Sequence, residues 1–312
     1  MSKKTAFVTG ASGFIGVNLV KELLAAGWDV TALHRKSSNL AYLSRFDARR
    51  VVGDITDIAS IEAAMPEGVD AVYHVAGNVS FDAAGDAAQN QDNIDGTVNM
   101  VACALASGAR RFIHTSSGAS WGLQDNIEIN ESSPSNVDKI PINYFRTKKL
   151  AEEAALAGLE RGLDVVVVNP ANVVGPFDNV IWGPFIQLIA KGELKKVGTG
   201  GAAFCHVEEV ARAHIAACEK GKRGNRYLLA GAQASFAEVG DTVARLVGGT
   251  APSPSNERDS GMTEEMFGLM SSNQVIDCSK AMRELDFNPV ALESMFADLV
   301  AWMRQESLLD LP

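Results

Sequence analysis

Three glycines at a spacing of three residues constrain the fold of this chain more than any other feature. Gly10, Gly13 and Gly16 follow the apolar run Thr5 to Thr9 and open the segment Phe14 to Ala26, whose apolar side chains recur with a helical period. The pattern predicts a buried strand that turns sharply into a helix. One interpretation is a glycine-rich turn without a ligand. The other is a phosphate-binding turn, because glycines let backbone N–H groups at a helix N-terminus approach an anion.

Short apolar, β-branched runs alternate with segments of helical period along the first half of the chain. We predict strands at Thr5 to Thr9, Asp29 to His34, Arg50 to Gly53, Ala71 to Val75, Arg111 to Thr115 and Asp164 to Asn169. Helices are predicted at Phe14 to Ala26, Asp57 to Met65, Gln91 to Ser107 and Tyr144 to Arg161. Several strands are apolar throughout, which is typical of strands covered on both faces. The alternation predicts an α/β fold with a doubly wound parallel sheet, the Rossmann arrangement.

The alternation breaks after Pro170, where prolines, glycines and large apolar residues mix over residues 175–201. This composition indicates a loop-rich region. A strand and a helix then return at 203–219, another strand at 225–230 and another helix at 235–247. We therefore predict a nucleotide-binding Rossmann domain of residues 1–170 that residues 203–247 rejoin. Residues 171–202 and 248–312 are predicted to form mainly a smaller, C-terminal substrate-binding lobe that ends in a helix.

The overall charge and the cysteines argue against several classes of protein. The formal net charge of −10 would repel a nucleic acid backbone. The four cysteines lie far apart and have no metal-ligand spacing with the five histidines, so we predict reduced thiols and no metal site. No stretch approaches a membrane span, and the apolar segment near the start is too short for a signal peptide. We expect a cytoplasmic protein that binds neither nucleic acid nor membrane.

The glycine turn and two later strand ends predict where a dinucleotide would bind. The residues predicted at its pyrophosphate are those of the turn and the helix start, namely Gly10, Ser12, Gly13, Phe14, Ile15 and Gly16. After the third strand, Asp54 and Ile55 are predicted to lie beside the adenine. After the fourth strand, small residues leave room for a ribose, and these are Val75, Ala76 and Gly77.

The end of the second strand bears on the choice of nicotinamide cofactor. An NAD site usually has an acidic side chain about 20 residues after the glycines, which binds the ribose hydroxyls. Arg35 stands in this region instead, and a guanidinium suits a 2′-phosphate. We predict NADP(H) in preference to NAD(H). A solvated basic loop is the alternative interpretation.

Tyr144 and Lys148 provide the chemistry that such a cofactor needs. On a helix they lie one turn apart on the same face. A tyrosine with a pKa of about 10 is a poor base at neutral pH, but a nearby ammonium favours its phenolate. Ser117, after the fifth predicted strand, is placed to hydrogen-bond the substrate oxygen while Tyr144 protonates it.

The order of these motifs resembles the extended short-chain dehydrogenases/reductases of the NAD-dependent epimerase/dehydratase family, and within it the dihydroflavonol 4-reductase-like branch. The motifs are TGASGFIG, GDITD, HVAG, NIDGT, TSSGASWG, YFRTK, NPANVVGP and FCHVEEVARAH. The resemblance implies a catalytic triad of Ser117, Tyr144 and Lys148, with Lys148 also on the nicotinamide ribose. It adds further cofactor-binding residues, which are Thr115, Pro170, Asn172 and Val173. Relatives commonly have arginine where Asn169 stands, so any contact of that arginine is not carried over.

The second lobe bears on the substrate. Sugar-nucleotide enzymes of this family often use arginines there to bind a diphosphate, but residues 176–201 contain three lysines and no arginine. Large apolar side chains are prominent instead, which favours an apolar or aromatic carbonyl substrate, although they also suit the core of the lobe. The predicted substrate residues are Asn78, Phe81, Trp121, Phe177 and Trp182.

Three functions follow from these observations. The leading one is an NADPH-dependent carbonyl reductase, equally an alcohol dehydrogenase in reverse. Its substrate would be a small carbonyl or alcohol, and the prediction allows for a homodimer. The second is a sugar-nucleotide epimerase or dehydratase with tightly bound NAD. The third is a non-catalytic module that senses NADP(H), which would have no need of the Ser117, Tyr144 and Lys148 set.

Overall fold

The computed structural model describes residues 3–259 and 262–309, so residues 1–2, 260–261 and 310–312 of the predicted domain and lobe lie outside the described residues. The strands in chain order are β1 (Thr5–Thr9), β2 (Asp29–His34), β3 (Arg49–Val52), β4 (Ala71–His74), β5 (Phe112–Thr115), β6 (Glu128–Ile129), β7 (Val165–Pro170), β8 (Asn172–Val174), β9 (Lys196–Val197), β10 (Gly201–His206), β11 (Arg226–Leu229), β12 (Ala232–Ser235), β13 (Ser253–Pro254) and β14 (Val275–Ile276). The α-helices are α1 (Phe14–Ala25), α2 (Ile58–Ala64), α3 (Asp86–Asn90), α4 (Gly96–Ala106), α5 (Asn143–Ala157), α6 (Trp182–Ala190), α7 (Val207–Lys220), α8 (Phe236–Val247), α9 (Glu264–Met270), α10 (Ser279–Leu285) and α11 (Leu292–Gln305).

A parallel sheet of seven strands forms the centre of the molecule, in the order β11-β7-β5-β4-β1-β2-β3. Strand β7 is buried at every position. Because successive side chains of a strand point to opposite faces of the sheet, both faces must be covered. Helices α1, α7 and α10 cover one face, and α2, α4 and α5 cover the other. The predicted fold class, a doubly wound parallel α/β sheet, is confirmed.

The strand order reverses between β1 and β4, which are neighbours in the middle of the sheet. From β1 the chain builds outwards through β2 and β3, and then crosses to β4 and builds outwards in the other direction. The connections after β1 and β4 therefore leave in opposite directions and open a crevice at the carboxyl ends of the strands. Ligands of doubly wound sheets bind at such a reversal.

The smaller lobe is built on a sheet of three strands in the order β12-β10-β8. Strand β10 is parallel to β8 and antiparallel to β12. Helices α6, α8 and α11 pack on this sheet around an aromatic cluster with ring centroids 5.4 to 6.4 Å apart, formed by Trp182, Phe204, Phe236 and Phe296. Edge-to-face packing of this kind adds to the apolar burial that holds the lobe together.

This arrangement corrects the predicted boundary between the domain and the lobe. Residues 203–247 do not rejoin the Rossmann domain as a unit. Helix α7 packs against α1, and β11 extends the central sheet. Strands β10 and β12 and helix α8 belong to the lobe, because Phe204 and Phe236 bury their rings in its core.

The stretch 175–201, predicted to be rich in loops, contains helix α6. The carboxylate of Asp178 accepts hydrogen bonds of 2.9 to 3.0 Å from the N–H groups of Val180, Ile181 and Trp182 as the helix begins. Pro184 falls in the first turn, where a missing N–H is tolerated. The helix is therefore compatible with the proline that suggested a loop.

Candidate active site

A cleft of about 800 Å³ lies at the carboxyl ends of the central strands, between the Rossmann sheet and the lobe. Fifteen predicted cofactor residues other than the triad line it, and these are Gly10, Ser12, Gly13, Phe14, Ile15, Gly16, Arg35, Asp54, Ile55, Val75, Ala76, Gly77, Pro170, Asn172 and Val173. They come from the ends of β1 to β4, from the end of β7 and from β8. The structure thus brings together residues that are up to 163 positions apart, from Gly10 to Val173.

The glycine turn brings backbone segments closer together than any side chain at these positions would allow. Gly10 has a φ of +65°, and a β-carbon on it would lie 2.6 Å from the backbone nitrogen of Ala76. A β-carbon on Gly16 would lie 2.0 Å from the carbonyl oxygen of Gly10. Gly13 precedes α1 and supplies no capping side chain, so the first N–H groups of the helix stay available. This turn fits the pyrophosphate of a dinucleotide.

Arg35 lies on the cleft wall just after β2. Its backbone N–H donates to the hydroxyl of Ser38 at 3.1 Å, whereas no acidic side chain within the described part of the chain forms an ion pair with its guanidinium. Among the described residues that line the cleft, Arg35 is the only lysine or arginine, and His34 precedes it. The guanidinium thus lies at the end of the cleft formed by β2, where the adenosine is predicted to bind.

Asp54 and Asp57 have different roles in the loop after β3. Asp54 lines the cleft, and its Oδ1 accepts hydrogen bonds from the N–H and the hydroxyl of Thr56 at 3.0 and 2.9 Å. Asp57 caps α2 by accepting the N–H of Ser60. Asp54 is thus not needed as the cap of α2, and its Oδ2 is the carboxylate oxygen that could accept a hydrogen bond from a ligand in the cleft.

Ser117 and Tyr144 line the middle of the cleft, one just after β5 and the other in the first turn of α5. Burial raises the pKa of the Tyr144 phenol, and the hydroxyl of Ser117 opposes this by hydrogen bonding. Burial is the larger of these two effects on the pKa of the phenol in the protein without coenzyme. Ser116 pairs its hydroxyl with that of Ser120 at 2.8 Å, as suits a structural serine.

Lys148 lies beneath the cleft wall, one helical turn after Tyr144. Its Nζ donates to the carbonyl oxygen of Thr115 at 2.7 Å, and it would lie 3.8 Å from a β-carbon on Gly77. Burial lowers its pKa from 10.5 to about 8, while the charge of Glu152 acts in the opposite direction. The ammonium is thus held next to Gly77, one of the residues predicted to leave room for a ribose.

Three of the predicted contacts are corrected by the structure. Thr115 does not line the cleft: its hydroxyl pairs with Nε2 of His214 at 2.8 Å, and it acts on the site only through its carbonyl. Trp121 is 1% exposed and packs on Ile129 and Leu228, behind the wall. Phe177 does not line the cleft, and its ring packs on the aromatic side chains of Tyr42, Phe46 and Trp302.

The other predicted substrate residues, Asn78, Phe81 and Trp182, do line the cleft. The rings of Phe81 and Tyr144 meet edge to face with centroids 5.5 Å apart. The remaining wall was mostly not predicted from the sequence; its apolar members include Val79, Leu123, Val180, Ile181, Ala202, Phe236, Leu269 and Ile276, and its polar members include Ser80, Asp92, Asp178 and Gln274. The large apolar side chains of the segment before α6, such as Ile181, were the local signal in the sequence.

Membrane-spanning helices and clusters of metal-binding side chains would indicate other classes of function. No described helix combines the length and the apolar character needed to cross a membrane. In the same residues, no group of three or more His, Cys, Asp or Glu side chains is arranged to hold a metal ion.

Comparisons with known proteins agree with the motif order and the fold. Residues 6–230 match the model of the NAD dependent epimerase/dehydratase family. Sterol demethylase protein B of Methylococcus capsulatus is 32% identical, with 98% of this chain and 100% of the relative aligned. A putative dihydroflavonol 4-reductase of Synechocystis is 30% identical, over 96% of this chain and 94% of the relative.

Solved structures give the same result. The crystal structure of gox2253 superposes with a TM-score of 0.89 at 26% identity, covering 99% of this chain and 100% of that one. A nucleoside-diphosphate-sugar epimerase from Pseudomonas aeruginosa superposes with a TM-score of 0.83 at 25% identity, with the same coverage.

Proposed function

The chain belongs to the NAD dependent epimerase/dehydratase family, and we propose that it acts there as an NADPH-dependent reductase of ketones or aldehydes, or as the reverse alcohol dehydrogenase. The observation that carries the proposal is the distribution of charge along the cleft. Arg35, the only lysine or arginine of the described lining, would lie at the adenosine end, and the substrate would meet a mostly apolar wall around Ser117 and Tyr144.

The residues of the cleft account for each part of such a coenzyme. The glycine turn and the N-terminus of α1 would hold the pyrophosphate, and Arg35 the 2′-phosphate. Lys148 would bind the nicotinamide ribose. A bound reduced nicotinamide supplies hydride to a carbonyl carbon.

The protein's own residues then handle the oxygen of the substrate. Ser117 would donate a hydrogen bond to the carbonyl oxygen and hold it against the phenol. Tyr144 would donate its proton to that oxygen as negative charge develops there. Lys148, charged below a pH of about 8, favours the phenolate that remains.

The wall around this position favours an uncharged, apolar substrate of considerable size. Phe81, Ile181 and Trp182 face the site, and a phosphate or carboxylate would have no basic partner in the described lining of this half. The names of two relatives, dihydroflavonol 4-reductase and sterol demethylase protein B, point the same way. A sugar-nucleotide epimerase with bound NAD is less well supported, because its diphosphate would lack a cation.

The remaining parts of the proposal concern location and partners. We place the protein in the cytoplasm, with a small carbonyl or alcohol as its partner and without nucleic acid or membrane. The net charge of −10 supports this, as do the four cysteines, which are all unpaired. A homodimer is the assembly that we propose to test.

The deciding experiment is a substrate panel assayed by the absorbance of NADPH. The panel contains polycyclic and aliphatic ketones, aldehydes and a nucleoside-diphosphate sugar, with Tyr144→Phe as the inactive control. We expect turnover of uncharged apolar carbonyls that the Tyr144→Phe variant loses. Purified protein that carries bound NAD, fails to bind NADPH and converts only the sugar nucleotide would refute the proposal; this conversion is redox-neutral, so it is followed by chromatography of the sugar nucleotide rather than by absorbance.

A further inference from the structure

A buried carboxylate lies one helical turn after Lys148. Glu152 on α5 is 3% exposed, and each of its oxygens has a partner. The amide nitrogen of Asn169 donates to Oε2 at 2.6 Å, and the guanidinium of Arg226 donates to Oε1 at 3.2 Å. A carboxylate is kept at this depth only if it is paired and hydrogen-bonded.

Asn169 connects this carboxylate to the candidate active site. The residue is fully buried near the end of β7, and the same amide nitrogen donates to the carbonyl oxygen of Ser117 at 3.3 Å. One neutral side chain therefore links the backbone of Ser117 to Glu152. An arginine at this position would instead place a positive charge beside the carboxylate.

The groups that face Lys148 from other elements are uncharged at neutral pH. His74 on β4 and His114 on β5 are buried, and burial lowers the pKa of His74 to about 3 and that of His114 well below its usual value. The carbonyl oxygen of Thr115, to which Nζ donates at 2.7 Å, is uncharged as well. Among the described residues, Glu152 is thus the group whose charge favours the protonated lysine.

Arg226 weakens the effect of the Glu152 charge on Lys148 less than a buried cation would. Its side chain is 40% exposed and stacks on the ring of Trp121, with the guanidinium carbon 5.1 Å from the ring centroid. Solvent therefore screens its charge, whereas a cation at position 169 would be fully desolvated.

We infer that Glu152 is a positioning residue that keeps Lys148 charged, and that a neutral Asn169 is required because it holds the carboxylate without cancelling its charge. The inference depends on the proposed function only for the role of Lys148 beside the coenzyme. The charge of Lys148 itself is a property of the free protein.

The test is the protonation midpoint of Lys148 in protein labelled with ¹³C at the lysine Cε, followed by NMR without coenzyme or substrate. Lys148→Arg assigns the resonance. The variants are Glu152→Gln, which keeps the shape of the side chain, and Asn169→Arg. Glu153→Gln is the matched control, because it removes the same charge from an exposed neighbour on the same helix.

We expect Glu152→Gln and Asn169→Arg each to lower the midpoint by about one pH unit or more, since an opposite charge close by shifts a pKa by that amount. Glu153→Gln should leave the midpoint nearly unchanged. The inference is wrong if Glu152→Gln moves the midpoint no further than Glu153→Gln does. If the buried arginine prevents folding, as circular dichroism would show, the isosteric Glu152→Gln variant decides alone. Failure to bind any nicotinamide cofactor would overturn the proposed function while leaving this result intact.

Discussion

Arg35→Asp is predicted to reverse the coenzyme preference. Arg35 is exposed on the cleft wall, and no ion pair engages its guanidinium within the described residues. A 2′-phosphate beside it gains a charge-assisted contact that NADH, which lacks this phosphate, does not make. Aspartate would replace the attraction by repulsion and would supply the acceptor for ribose hydroxyls that NAD sites usually have.

The size of the effect follows from the exposure of Arg35. Two unit charges about 4 Å apart interact by about 1 kcal/mol in water and about 4 kcal/mol at the effective dielectric constant of a protein surface. Because Arg35 is exposed, the lower part of this range applies, about 1–2 kcal/mol for the lost attraction and as much again for the repulsion. A total of about 2–4 kcal/mol corresponds to a roughly 30- to 1,000-fold loss of NADPH affinity.

The assay is the dissociation constant of NADPH and of NADH, measured by calorimetry at low ionic strength and repeated at high salt, where screening should reduce the difference. Lys36→Asp is the matched control, since it makes the same charge change at the next residue, which does not line the cleft. The role assigned to Arg35 is wrong if Arg35→Asp weakens the binding of both coenzymes by the same factor. It is also wrong if Lys36→Asp changes the ratio of the two dissociation constants by as much as Arg35→Asp does.

Three further predictions concern the catalytic helix and the glycine turn. Tyr144→Phe should keep NADPH affinity within about threefold while lowering turnover about 10²- to 10⁴-fold, and comparable turnover by both proteins would contradict the assignment of the phenol. Lys148→Met should stabilise the protein at pH 7 by up to about 3 kcal/mol, because a lysine whose pKa falls from 10.5 to about 8 on folding is penalised while protonated. The penalty is fully present below pH 8 and disappears as the pH rises toward 10.5, so urea unfolding at pH 7 and pH 10 should show a gain that shrinks at the higher pH. Gly16→Ala should abolish dinucleotide binding and lower the melting temperature, because its β-carbon would lie 2.0 Å from a carbonyl oxygen. Gly68→Ala, with a φ of +62° and open space around it, should cost only about 1 kcal/mol, and a Gly16→Ala variant as stable as this control would contradict the clash.

The coenzyme half of the cleft could be predicted from the sequence because each of its parts is local. A strand, a glycine turn and a helix start are adjacent in the chain, and Arg35 and Asp54 each follow a strand directly. Parallel strands bring their carboxyl ends to one edge, so a correct strand assignment is enough to collect these residues. Lys148 and Tyr144 needed only the spacing of one helical turn.

Predictions from residue type alone were less successful. Phe177 and Trp121 are large aromatic residues next to the motifs, but their rings lie in packing contacts rather than on the cleft wall. Tertiary packing also determines that β10 and α8 belong to the lobe rather than to the Rossmann domain. Their apolar patterns suit either a Rossmann sheet or a second sheet, and the pattern alone does not say which partner strand lies next to them.

The substrate wall illustrates why the remaining half required the structure. Its residues come from loops after β4 and β5, from the starts of α6, β10 and α8, from α9, and from the segment around β14. No spacing in the chain connects these stretches, because the contacts that join them are made by the core of the lobe rather than by one element. The same separation has a physical consequence for specificity. Since the glycine turn, Arg35 and α5 belong to the central sheet and its connections, we expect changes in the lobe to alter which substrate fits more than they alter the predicted coenzyme half.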